Sequence, residues 1–164
     1  MKLIGGTSIG SLIVELSQAE FDALKLTESP IQGETAVPRH ILPVPHINQN
    51  SDGSKAYRND CGMACVTMAI HALTDKRPSV DHLMTHYIAL EYRGKYLTFS
   101  QLLPALRAFG LSAEYKRPFK TEEIQAAVEA ESPCIVLVKY PALPKHLQAI
   151  SYTGSHFVLI SGYE

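Results

Sequence analysis

From Asp60 to about Leu73 the chain is apolar on nearly every side of a helical wheel: Met63, Ala64, Cys65, Val66, Met68, Ala69, Ile70, Ala72 and Leu73. A helix with one apolar stripe can lie on a surface, whereas one that is apolar all round has to be enclosed by other elements. The segment therefore predicts a central buried helix around which the remaining elements must be arranged. Its start carries chemistry. In Asn59-Asp60-Cys61-Gly62 a thiol falls in the first turn, where unpaired backbone amides and the helix dipole favour the thiolate. Asp60 fits the N-cap role, and Gly62 keeps bulk away from the sulfur. From these residues alone, Cys61 reads equally as a nucleophile or as a buried structural thiol. Cys65, one turn deeper among apolar neighbours, reads as core.

Three further helices are expected. "SVDHLMTHYIAL" has Ser79 as its N-cap, "TFSQLLPALRAFG" is closed by Gly110, and "KTEEIQAAVEAES" is capped by Thr121. Between the last two, "LSAEYKR" reads as a short strand. "CIVLVKY" is a continuous run rich in β-branched residues, hence a strand buried on both faces. A long loop, "YPALPKHLQAISYTGS", leads to a final strand, "HFVLISGYE", that begins at His156. Upstream of the central helix, "HILPVPHINQN" is an extended lead-in whose prolines exclude helix interior. The first residues suggest a hairpin over 2–16 and a helix in "SQAEFDALKL", with Ser17 and Glu20 in capping-box spacing. A Pro- and Gly-containing linker near 27–38 separates this part from the rest. The expected organisation is an N-terminal ββα extension with its linker over residues 1–38 and a main domain over 39–164. Helices gather first and strands afterwards, which is α+β rather than alternating βαβ.

Bulk composition narrows the function classes. Lys and Arg total 15 against 16 for Asp and Glu, with no basic run, so nucleic-acid binding is not expected. No apolar stretch approaches the ~18 residues needed to span a bilayer, and the N-terminus makes a poor signal-peptide core. A cytoplasmic location is expected, with export by another route left open. The three cysteines, Cys61, Cys65 and Cys134, form no disulfide framework and no zinc spacing. His82 and His86, four apart on a predicted helix, read as an exposed face rather than as metal ligands. Tyr92, Tyr96 and Tyr115 read as packing residues, and His71 suits the C-terminal end of the central helix.

A histidine opening a buried strand can present its ring at a sheet edge, where it could meet the helix terminus carrying Cys61. Thiol and imidazole together make an acyl-transfer pair. "NDCGMACVTM", followed about 95 residues later by "HFVLISGY", resembles the papain-like peptidases that process bacteriocin leaders at a double glycine, family thirty-nine of the cysteine peptidases, and their stand-alone relatives. The resemblance covers roughly residues 40–164 and includes the order of elements. It implies a papain-like fold, with the cysteine on a central helix packed against an antiparallel sheet that carries the histidine. It also implies peptide-bond hydrolysis through a thioester, with Cys61 as nucleophile, His156 as general base and acid, and no metal or cofactor. Gln49, in "INQN", is the family's candidate for binding the oxyanion together with the Cys61 backbone amide, although it lies twelve residues before Cys61 across a longer loop than in leader-processing members.

The family's third residue, an Asp or Asn on the strand after the histidine, has no counterpart, because only Phe157 to Glu164 follow. Three explanations compete: a longer native chain, a Cys–His dyad, or a peptidase-like domain that has lost turnover and binds peptides. The first is favoured. The last strand is also left without its next neighbour in sequence, an edge that residues 2–16, a second subunit or a partner chain could cover. A part in a larger phage or secretion assembly, attached through residues 1–38, is a further reading.

Overall fold

The computed structural model describes residues 10–15, 40–49, 59–143, 145, 148 and 150–163, the first six by backbone alone. The order is β1 (Gly10–Glu15), β2 (His40–Ile41), α1 (Cys61–Leu73), α2 (Val80–Tyr87), α3 (Phe99–Ala108), β3 (Ser112–Lys116), α4 (Thr121–Glu129), β4 (Cys134–Lys139), β5 (Ser155–Ile160) and β6 (Gly162–Tyr163). Mixed helix and sheet in this arrangement is the expected α+β class. Among the described residues no helix is long and apolar enough to cross a membrane.

The sheet itself departs from expectation. It is mixed, with strand order β3-β1-β4-β5. β1 runs parallel to both neighbours, pairing Ile13 with Tyr115 on one side and with Ile135 on the other. Only β4 and β5 are antiparallel, with Val138 opposite His156. The N-terminal strand thus lies inside the sheet, away from the β5 edge, for which it was one of the candidate covers. The other arm of the hairpin and the helix in "SQAEFDALKL" fall outside the described residues.

α1 is enclosed as its composition demands. Met63, Val66, Ala69 and Ile70 have no exposed surface, and they share one core with Leu83 and Met84 of α2, Leu102 and Leu106 of α3, and Ile135 and Phe157 of the sheet. The buried Thr67 hydroxyl is satisfied by donating to the Met63 carbonyl at 2.8 Å. His71, in the last turn, donates from Nε2 to the Pro78 carbonyl at 2.9 Å. A second core lies on the opposite face of the sheet, where Phe119, Ile124 of α4, Cys134, Val136, Val138, Tyr140 and Leu143 meet. β4 therefore sends Ile135 and Leu137 one way and Cys134, Val136 and Val138 the other, which is why its sequence reads as unbroken apolar residues.

Helix boundaries follow local signals closely. Ser79 Oγ accepts from the His82 backbone N–H at 3.1 Å. Thr98 and Gln101 form a capping box for α3, and Gly110 takes φ +80° just past its end. For α4 the cap is Lys120 rather than Thr121, because the Glu123 carboxylate reaches back to the Lys120 backbone N–H at 2.7 Å. The expected single last strand is two. The chain leaves β5 at Ser161, whose carbonyl accepts from Leu42 N–H at 2.7 Å, and β6 pairs antiparallel with β2. The lead-in thus partners the end of the chain. The backbones approach so closely there that a Cβ on Gly162 would lie 2.7 Å from the His40 carbonyl oxygen.

Candidate active site

Cys61 is the first residue of α1, entered through Asn59 in the left-handed region at φ 68° and Asp60 at φ −94°. Asparagine tolerates that backbone better than most residues, and its amide is fixed by donating to the Gly94 carbonyl at 3.1 Å. Asp60 occupies the N-cap position, yet its side chain makes no capping hydrogen bond and is buried. The dipole argument for a reactive thiolate is overridden. Burial pushes the Cys61 thiol above its ordinary value, and the Asp60 charge adds to this, while the backbone N–H groups of Phe157 and Gly62 pull the other way.

Gly62 has a different role from the expected one. A Cβ there would lie 2.9 Å from Phe157 Cδ2 and 3.2 Å from Leu102 Cδ2. The missing side chain lets the start of α1 close onto β5, so the space belongs to the core and not to a substrate. Cys65 is fully enclosed and its thiol is pushed far up by burial; Cys134, on the opposite face of the sheet, is pushed up to about 12 for the same reason.

Cys61 opens on a cleft of about 500 Å³. The floor follows one face of the β4–β5 pair, with Leu137, Lys139, Ser155 and Phe157. Asn59 stands at the helix start, while Tyr96 and the segment Tyr152–Gly154 form the walls. Tyr152 donates to the Ser155 carbonyl at 3.3 Å. Its phenol is pushed up to about 12, first by the hydrogen bond with Tyr96, then by burial and by the proximity of the Tyr96 and Cys61 charges.

His156 is not in this cleft. Successive side chains on a strand point to opposite faces, and Phe157 points to α1, edge-on to Phe99 with ring centroids 5.1 Å apart. His156 accordingly points away, and its ring meets Tyr140 edge-on at 5.4 Å on the side of the second core. Burial lowers its pKa, because desolvation disfavours the charged ring. Among the described residues no imidazole shifts the Cys61 pKa. Gln49 lies at a turn, partly buried, outside the lining of the cleft. The structure thus brings the Cys61 thiol to the backbone of β5 without bringing it the His156 ring or the Gln49 amide.

Other side chains take the places the sequence did not assign. Tyr96, read as packing, is 64% exposed on the wall of the cleft. Tyr115 does pack, stacked on Phe99 at 4.8 Å. Lys139 and Tyr152 carried no local signal, because only the β4–β5 pairing and the loop's return place them beside Cys61. His82 and His86 stack on each other at 4.1 Å on an exposed face, and no group of residues able to hold a metal ion occurs among the described residues.

Residues 41–164 match the model of the Peptidase_C39 like family. No curated protein and no solved structure matches the chain.

Proposed function

The chain belongs to this cysteine-peptidase-like family, and from that premise we propose that it hydrolyses peptide bonds with Cys61 as nucleophile. The papain-like arrangement, a cysteine helix packed on the strand that carries the histidine, is part of the same proposal, with residues 1–38 as an extension that lends β1 to the sheet of the 39–164 domain. The observation that carries the reading is the Cys61 thiol at the head of a buried helix, against the β5 backbone and open to a cleft of about 500 Å³.

The chemistry is acyl transfer. Sγ attacks the scissile carbonyl carbon and the C–N bond breaks; the thioester is then hydrolysed by water. His156 is assigned as the base that takes the thiol proton and returns it to the leaving amine. The Cys61 backbone N–H holds the oxyanion, with Gln49 as the assigned side-chain donor and Asn59, which does line the cleft, as the alternative. Turnover requires the imidazole on the cleft face. In this structure Phe157 takes that face and His156 lies on the other.

A second reading, peptide binding without turnover, is favoured by the placement of His156 beside Tyr140. The alkylation rate of Cys61 by iodoacetamide between about pH 4 and 9, with and without His156, separates the two. Rapid labelling at acid pH that is slowed in His156→Ala, together with loss of peptide cleavage in both Cys61→Ala and His156→Ala, supports the peptidase. Labelling that rises only towards alkaline pH and ignores His156, with no cleavage by the wild type, establishes the binding module.

A further inference from the structure

Lys139 is the last residue of β4, exposed, and lines the cleft. Among the described residues it is the one charged side chain lining that cleft, and it takes part in no ion pair. The remaining lining is amide, hydroxyl, phenol, thiol and apolar; Asp60, the nearest carboxylate in sequence to Cys61, is buried beneath the helix start and does not reach the lining. With one unpaired cation and no anion among its described lining residues, the cleft discriminates between ligands by charge.

The register fixes where along a bound chain that charge would be read. Phe157, whose backbone meets the Cys61 thiol, lies opposite Leu137, and Lys139 lies opposite Ser155 on the same face. Two residues along a strand is roughly 7 Å. An extended peptide advances by the same step, so a group held by Lys139 sits about two residues from the carbonyl at Cys61. Tyr96 and Tyr152 wall the cleft at its sides.

We propose that Lys139 determines specificity in this cleft and that its ligands are peptides bearing an acidic side chain about two residues from the position attacked by Cys61. The inference rests on the cleft being the peptide site, but it concerns binding and does not need turnover. The test is fluorescence polarisation with fluorescein-labelled heptapeptides of Gly, Ala and Ser carrying one central Glu or one central Gln, both with amidated C-termini. The Glu peptide is expected to bind about tenfold more tightly than the Gln peptide, a preference that fades as salt is raised from ~0.05 to 0.5 M. Lys139→Gln should remove the preference and Lys139→Arg should keep it. Cys61→Ala should leave it unchanged, which separates failure of this inference from failure of the nucleophile assignment. A third peptide, with Gln and a free C-terminal carboxylate, covers the other source of the same charge. Equal affinity for Glu and Gln, binding of the free-carboxylate peptide alone, a preference that survives Lys139→Gln, or no binding of any peptide up to millimolar concentration would each overturn the proposal.

Discussion

The two faces of the β4–β5 pair do opposite things with similar residues. On one, Phe157 and Ile135 seal against α1 and α3, and past the seal the face opens into a cleft with Cys61, Lys139 and two tyrosines. On the other, Val136, Val138 and Tyr140 close against α4 and the 140–143 turn, and His156 is stowed beside them. The difference lies in what covers each face. The first turn of α1 seats on β5 at Gly62 and Phe157, and Cys61 at its start already borders the cleft. The reacting atom sits at the boundary between core and cleft, and its chemistry is set by that boundary more than by the helix dipole.

The sharpest challenge to the sealed half of the cleft face is Phe157→Ala. The side chain is 5% exposed and touches both Gly62 and Phe99. Removing it should cost about 3–5 kcal/mol in urea denaturation. A loss no greater than that of a surface substitution would mean that α1 does not seat on β5 through this ring. Next in size is Gly62→Ala, whose new methyl group meets Phe157 and Leu102 at 2.9 and 3.2 Å. It should destabilise by about 1–3 kcal/mol. Much of that should return when Phe157→Leu is added, since the two sites share one contact. Strict additivity would place the strain elsewhere.

The opposite face is probed by pH. Burial lowers the His156 pKa, so the unfolded chain takes up a proton near its ordinary value of about 6.5 while the folded ring resists it. Stability is therefore fully present above that pH and declines as pH falls towards the folded-state pKa. Acid titration of the denaturation midpoint should show this slope in the wild type and a shallower one in His156→Phe. An unchanged slope would mean that the ring is not enclosed beside Tyr140. Cys61 has the reverse sign: its pKa is raised in the fold, so its contribution is intact below the ordinary thiol range and is lost above it. Cys61→Ser should lessen the decline in stability at alkaline pH, the smallest of these effects.

Much of the architecture was legible in the chain. The all-round apolar run required α1 to be enclosed, Ser79 and the Thr98–Gln101 pair marked helix starts, Gly110 marked a stop, and the β-branched run of β4 implied burial on both faces. These signals are local, set by backbone hydrogen bonds and by the periodicity of apolar side chains. The division of the last segment into β5 and β6 was hidden, because the break at Ser161 depends on a hydrogen bond from Leu42, far away in sequence. The position of β1 between β3 and β4 was hidden for the same reason.

What residue order alone decided is the family, the enclosed cysteine helix and the presence of a thiol at its head. What only the tertiary structure decided is the company that thiol keeps. Strand alternation assigns a side chain to a face when polar and apolar residues alternate, and Phe157-Val158-Leu159-Ile160 do not. The face taken by His156 was therefore open in the sequence and was fixed by packing, with Phe157 filling the gap above Gly62. The direction of the Cys61 pKa shift was decided in the same way, since desolvation by neighbours brought from the far end of the chain outweighs the amides of its own helix. Lys139, Tyr96 and Tyr152 gain meaning only where the fold sets them around one cleft.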